Sequence, residues 1–220
     1  MNKLSKRALR SQLKSILRDI PQKELEIQSA NILHSLKPLL AGNANVGCFM
    51  NMENAEVKTM PIMQFLIEHN TQVYLPRCTN TSQSKHVVLR PGINSHAHLT
   101  FHRMNSFSQI TALHPSGKYQ LKEPAPEEPH PLPPHLDILL VPGVAFCLKN
   151  GARMGHGAGF YDDYIQRTFH HNGRKPILIG LALNEQIVDD IPLETHDHHM
   201  DCIVCGDGSV HWFQNGSKRS

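Results

Sequence analysis

The segment NGARMGHGAGFYDDY, residues 150–164, gathers groups able to handle an anion and a cation together. Gly151, Gly155, Gly157 and Gly159 leave backbone amides bare, and Tyr161, Asp162 and Asp163 follow at once. An apolar run, LDILLVPG (136–143), lies before the segment, and a helix is expected over 159–169. Strand, glycine-rich loop and helix together form a phosphate-binding arrangement. Glycine lets N–H groups approach an anion closely, and the helix N-terminus adds its positive dipole end. The spacing is neither GxxxxGK[ST] nor a clean dinucleotide fingerprint, so the glycines alone also fit a plain loop of tight turns. The flanks add to the signal. Arg153 is able to fork onto phosphate oxygens. Asp162 is able to hold Mg²⁺ beside them, or to serve simply as a first-turn acid favoured by the helix dipole.

A second cluster, HDHHMDCIVC, packs His196, His198, His199, Cys202 and Cys205 into ten residues. Zinc favours such ligands. However, Cys202 and Cys205 fall in an apparent strand, where i and i+3 point to opposite faces, and a single CxxC is a weak signal. The histidines of HAHLTFHR (96–103) are expected in solvent, on the outer side of a short strand whose Leu99, Phe101 and Arg103 share the other side.

The elements that must position the glycine segment alternate strand and helix. Leu4, Ala8, Leu9, Leu13, Ile16, Leu17 and Ile20 recur at helical spacing. A second helix is expected over 21–36, with Pro21 in its first turn. NVGCFM (45–50) reads as a buried strand, 57–68 as a helix, and TQVYLPR (71–77) as a strand stopped by Pro76. HVVLR (86–90) and LTFHRM (99–104) read as shorter strands. The pattern is that of a parallel α/β sheet. Residues 104–135 hold seven prolines and break the rhythm, so a long loop is expected, its end APEEPHPLPPH a stiff polyproline spacer. KPILIGLAL (175–183) is a core strand, and CIVCGDGSVHWF (202–213) a hairpin turning at Asp207-Gly208.

Composition bounds the function. The 220 residues are 40% hydrophobic and 19% charged, as a folded domain requires. A net charge of +3 and 6% aromatic residues argue against nucleic acid as a partner. No apolar run reaches the roughly 18 residues of a membrane span. Five cysteines without scaffold density suit a reducing compartment, and the cytoplasm is expected. The basic N-terminus, acid-free until Asp19, also has the composition of a mitochondrial transit peptide.

The segment VPGVAFCLKNGARMGHGAGFYDDYI (141–165) resembles the signature of the 5-formyltetrahydrofolate cyclo-ligases, approximately PGxxFDxxGxRLGxGxGYYD. KRALRSQLK, FMNMENAEVKT, YLPRC, YQLKEP and LALNEQIVDDIPLETHD resemble further segments of that family in order and spacing, so the likeness runs from about residue 6 to 207. It implies a single three-layer α/β/α Rossmann-like domain over 1–220, with a mostly parallel sheet and a C-terminal β-hairpin. It also implies Mg-ATP-dependent closure of the N5-formyl group of folinate onto N10, through a phosphorylated formyl oxygen. The partners implied are ATP and a folate of undefined glutamate number, in a monomer or weak dimer.

By the same resemblance, ATP contacts Lys6, Arg10 and the run Arg153, Met154, Gly155, His156, Gly157, Ala158, Gly159, Phe160 and Tyr161. The folate lies against Met50, Glu56, Tyr119 and the stretch from His156 through Phe160. Arg153 and His156 carry catalytic roles, and Asp162 and Asp197 hold Mg²⁺. Two positions depart from the family pattern: Cys147 stands where most members have Asp, and His156 where many have Arg. A thiol removes a carboxylate, and an imidazole carries less charge than a guanidinium near neutrality. These departures leave a second reading, a degenerate homologue that binds folate or nucleotide without turnover.

Overall fold

The computed structural model describes residues 5–52, 56–90, 92–116, 120–125 and 130–213. Tyr119 and most of the APEEPHPLPPH segment's start lie outside them. The strands are β1 (Asn45–Gly47), β2 (Gln72–Asn80), β3 (Ala97–Met104), β4 (Pro115–Ser116), β5 (Leu121–Lys122), β6 (Ile138–Val141), β7 (Ala145–Cys147), β8 (Ala152–Met154), β9 (Ile177–Ala182), β10 (Cys202–Cys205) and β11 (Val210–Trp212). The helices are α1 (Lys6–Arg18), α2 (Gln22–Leu40), α3 (Met60–Glu68), α4 (Thr81–Ser84), α5 (Phe107–Thr111) and α6 (Phe160–Asn172).

Seven strands form the main sheet in the order β11-β10-β9-β6-β1-β2-β3. The five inner strands are parallel; β3 and β11 pair antiparallel at the edges. Strand alternation sorts the core into two layers. Ile138, Leu140, Ile179, Leu181, Cys202 and Val204 join the cluster that buries α1, α2 and α3. Leu139, Val141, Leu178, Ala182, Ile203 and Cys205 join Tyr164 and Ile165 of α6 on the opposite face. The three-layer α/β/α arrangement follows from this period of two. It also puts Cys202 and Cys205 on opposite faces, as expected.

The chain enters the sheet at β1, moves outward through β2 and β3, then returns beside β1 with β6 and moves outward the other way. Between β1 and β6 the direction of winding reverses. Such a switch point opens a crevice beyond the carboxyl ends of its strands, because the connections leave to opposite sides.

Several elements depart from the sequence reading. In α1 only Leu9, Leu13 and Leu17 are buried, and Ile16 is 42% exposed, so the apolar stripe is narrower than the spacing suggested. Helix α2 runs past 36 to Leu40, with Pro21 at its N-cap, because Pro38 sits in the last turn and disturbs one carbonyl only. Strand β2 passes through Pro76: it pairs with β1 only up to Tyr74, so the proline stands where that side of the ladder is already open. Residues 86–90 form no strand. The 104–135 stretch is not all loop, since α5 and the β4–β5 ribbon occupy part of it. His98 and His102 of β3, and His96 before it, are buried rather than solvated. The end of α4 and the segment after it cover His98, whose Nε2 lies 2.8 Å from Ser84 Oγ and whose ring lies 5.1 Å from that of His86, while α6 packs on the other side of the strand through Phe101 and Tyr164 at 4.3 Å. Among the described residues no helix is long and apolar enough to cross a membrane.

Candidate active site

The glycine segment is not a single loop between sheet and helix. After β6, Val144 to Met154 fold into the antiparallel β7–β8 ribbon, and Gly151 (φ 73°) serves its turn. Only 155–159 lead into α6, with Gly157 at φ 108° and Gly159 at φ 68°, backbone conformations that favour glycine. Arg153 therefore lies in a strand and points inward. It is 6% exposed; one guanidinium nitrogen donates to the Pro142 carbonyl at 3.2 Å and the other to Asp162 Oδ2 at 2.8 Å. The fork expected on phosphate is occupied by these partners. Arg153 thus ties the ribbon to the first turn of α6, which holds the loop between them. Its guanidinium carbon also lies 5.7 Å from the centre of the Tyr161 ring. Burial, with Glu56 nearby, pushes the Tyr161 phenol well above its ordinary value, so it stays a neutral O–H donor.

Lys6 and Arg10, one turn apart on α1, both reach this region. Arg10 Nε donates to the Gly155 carbonyl at 2.8 Å, and Lys6 Nζ donates to Asp197 Oδ2 at 2.6 Å. Asp162 accepts the His198 backbone N–H on Oδ1 at 3.0 Å, so Asp197, one residue earlier, lies close in the chain to the same carboxylate. Burial works against ionisation of Asp197, but the Lys6 ammonium and the Glu194 N–H outweigh it and hold the carboxyl below its ordinary range. Glu194, His196 and Asp197 each offer a ligand atom, all within 4.8 Å of one another. The sequence reading missed Glu194 and did not count His196 with this carboxylate. Asp163, next to Asp162, takes a different part: it is buried against Arg167 at 3.0 Å and His96 at 3.5 Å.

These groups line one cleft of about 890 Å³, the upper part of the usual range for ligand pockets. Phe49 and Met50 beyond β1, and Pro142 beyond β6, put it at the switch point. Glu56 sits on the same wall, 8% exposed at its side chain, and accepts the Met52 N–H at 2.8 Å. His156 spans the two sides: it is 62% exposed and its Nε2 lies 3.7 Å from Glu56 Oε1. Glu123 was also missed, although it lies inside the YQLKEP segment. It accepts the Cys78 N–H at 3.2 Å, and burial raises its carboxyl despite that bond and Arg77. Cys147 is buried in β7, where its thiol donates to the Asp189 carbonyl at 3.3 Å and fastens the ribbon without a carboxylate.

A cleft at the switch point of a doubly wound sheet, walled by backbone amides, cations and carboxylates, defines an α/β protein of the class that carries its ligand site beyond the carboxyl ends of the strands. The fold is shared with a solved 5,10-methenyltetrahydrofolate synthetase from Aquifex aeolicus (TM-score 0.71, 22% identity, covering 98% of this chain and 96% of that one). The profile of the 5-formyltetrahydrofolate cyclo-ligase family matches residues 2–206, and the chain belongs to that family. It is 49% identical over 214 residues to the 5-formyltetrahydrofolate cyclo-ligase of Saccharomyces cerevisiae, covering 96% of this chain and 99% of the relative. The enzyme of that name from Mus musculus is 29% identical, covering 92% and 94%.

Proposed function

We propose that this protein catalyses the Mg-ATP-dependent cyclisation of 5-formyltetrahydrofolate to 5,10-methenyltetrahydrofolate, with release of ADP and phosphate. The observation that carries the reading is the convergence of Lys6, Arg10 and the 155–159 loop with Met50 and Glu56 on one cleft. Near-complete alignment with the yeast relative at 49% identity favours an active enzyme over a degenerate binder, despite Cys147 and His156.

The chemical obstacle is a stable formamide. Its oxygen is a poor leaving group until it is phosphorylated. In the proposed course the formyl oxygen attacks the γ-phosphorus of ATP and ADP departs. The N10 lone pair then attacks the activated carbon, the N10 proton is lost, and the C–O bond breaks to release phosphate. Holding N10 and the carbon in one small site supplies much of the acceleration. The loop amides and Arg10 bind the triphosphate, while Glu56 accepts pterin N–H groups. His156, between Glu56 and the loop, lies where the two substrates meet. Arg153 keeps the loop in place through Asp162 and the Pro142 carbonyl. The oxygen-rich donor set of Asp162 and Asp197, with Glu194 beside them, suits a hard cation: each Asp162 oxygen has a second lone pair beyond the donor it accepts, and Asp197, whose Oδ2 accepts from both Lys6 Nζ and the Glu194 N–H, offers Oδ1. Mg²⁺ bound there supplies charge neutralisation to the phosphate oxygens.

Five unpaired cysteines, four of them buried, support a reducing compartment, and the cytosol is the proposed location. The test is direct. Purified protein with folinate, ATP and Mg²⁺ produces the near-ultraviolet absorbance of a methenyl product, and omission of ATP abolishes it. Folinate binding with no absorbance under any nucleotide refutes the reading.

A further inference from the structure

The segment between α4 and β3, expected as a strand, instead crosses the outside of α6 and delivers a guanidinium to the glycine loop. It is fastened three residues earlier: Arg167, paired with Asp163, donates to the Val87 carbonyl at 2.6 Å. The His86 ring stacks near His98 at 5.1 Å, and burial, with Arg167 alongside, lowers the basicity of both imidazoles. From this anchor Arg90 reaches the loop and donates to the Ala158 carbonyl at 2.8 Å. A methyl group on Gly159 would stand 3.3 Å from the same guanidinium.

The consequence follows from peptide geometry. In a planar trans peptide the carbonyl of one residue and the N–H of the next point in opposite directions. A cation on the Ala158 carbonyl therefore turns the Gly159 N–H away from itself. Ala158 and Gly159 both line the cleft, whereas Arg90 does not, so the amide turns toward the cleft side. No acceptor lies against the Gly159 N–H among the described residues. Gly159 is also the N-cap of α6, so this amide lies at the positive end of the helix dipole. Arg10 differs: it lines the cleft and faces a ligand directly.

We propose that Arg90 is a positioning residue for nucleotide binding, acting from behind the loop to fix the Ala158–Gly159 peptide with its N–H aimed at a phosphate oxygen. The inference rests on the nucleotide reading above and names a residue that reading does not use. It also accounts for how a loop that carries His156 and no exposed lysine or arginine of its own keeps its amides ordered for an anion.

The test compares the parent with Arg90→Met and Arg90→Lys by calorimetric titration with Mg-ATP, and separately with folinate. The expected result is a Mg-ATP Kd raised about tenfold in Arg90→Met, the scale of one charge-assisted hydrogen bond, and partly restored in Arg90→Lys. Folinate Kd changes less than about twofold and Tm by less than about 2 °C, as for an exposed surface change. In turnover, the loss falls on the KM for ATP rather than on kcat. A parent that binds Mg-ATP while Arg90→Met binds it equally well overturns the inference alone. So does a parallel loss of folinate affinity and Tm, which marks a merely structural tether. A parent that binds no nucleotide overturns the underlying reading and this inference with it.

Discussion

Asp162→Asn isolates the pair that holds the loop. The change keeps side-chain volume, so no cavity confounds it. What it removes is the counter-charge of a guanidinium that is 6% exposed. Arg153 would keep the Pro142 carbonyl at 3.2 Å, while its Nε has no hydrogen-bond partner among the described residues. The amide also has one oxygen where the carboxylate had two acceptors, so its NH2 must face either Arg153 or the His198 N–H. Breaking a buried pair from one side costs about 3–5 kcal/mol. Asp162 is 14% exposed at its side chain, which argues for the lower end, about 3 kcal/mol. For a domain of this size that corresponds to a Tm lower by about 6–12 °C. Calorimetry of Asp162→Asn, Arg153→Met and the double variant tests the argument. The double variant is expected to be more stable than the sum of the single losses predicts, because the orphaned charge is gone. A Tm change under about 2 °C in Asp162→Asn, or strict additivity, refutes it.

Lys6→Met is expected to raise the Asp197 pKa toward the ordinary 3.8 when followed by carboxyl NMR, since the ammonium is what overcomes burial there. The depressed carboxyl stabilises the fold above that value and its contribution is lost as pH falls through the folded-state value, so Lys6→Met loses this acid-sensitive increment; an unmoved resonance contradicts the pairing. His98 is pushed from 6.5 to about 3, first by burial and then by Arg167. The unfolded chain therefore binds the extra proton, stability in urea falls as pH drops from about 6.5 toward 3, and His98→Asn flattens that slope; equal slopes count against it. His156→Arg is expected to lower the KM for ATP, because a guanidinium beside the 155–159 loop adds a permanent charge and a fork of donors; an unchanged KM excludes a charge role for this position.

The inner strands were legible because ILLV and ILIGLA are buried on both faces and admit no other element of that length. The Lys6 and Arg10 spacing gave their shared direction, and the Asp207-Gly208 turn gave the β10–β11 hairpin. The β7–β8 ribbon was not legible. Its strands are three residues each, too short for a period, and Gly151 looked like part of the phosphate loop. The inward turn of Arg153 depends on that ribbon, so its partners were hidden with it. The buried histidines of β3 were misjudged for a related reason: alternation along one strand does not disclose that α4 and the segment after it cover its second side. Arg90, Glu123 and Glu194 enter the site region through irregular chain, which carries no periodic signal.

Lys6 and Asp197 stand 191 residues apart in the chain and 2.6 Å apart in the fold. During synthesis, then, the first helix must wait for nearly the entire polypeptide before its ammonium meets that carboxylate. A ribosome-bound fragment ending before Asp197 keeps the partners of the Arg10 contact to the glycine turn but lacks the one for Lys6. Seating of the first helix on this carboxylate is thereby a late, long-range event in folding rather than a local one.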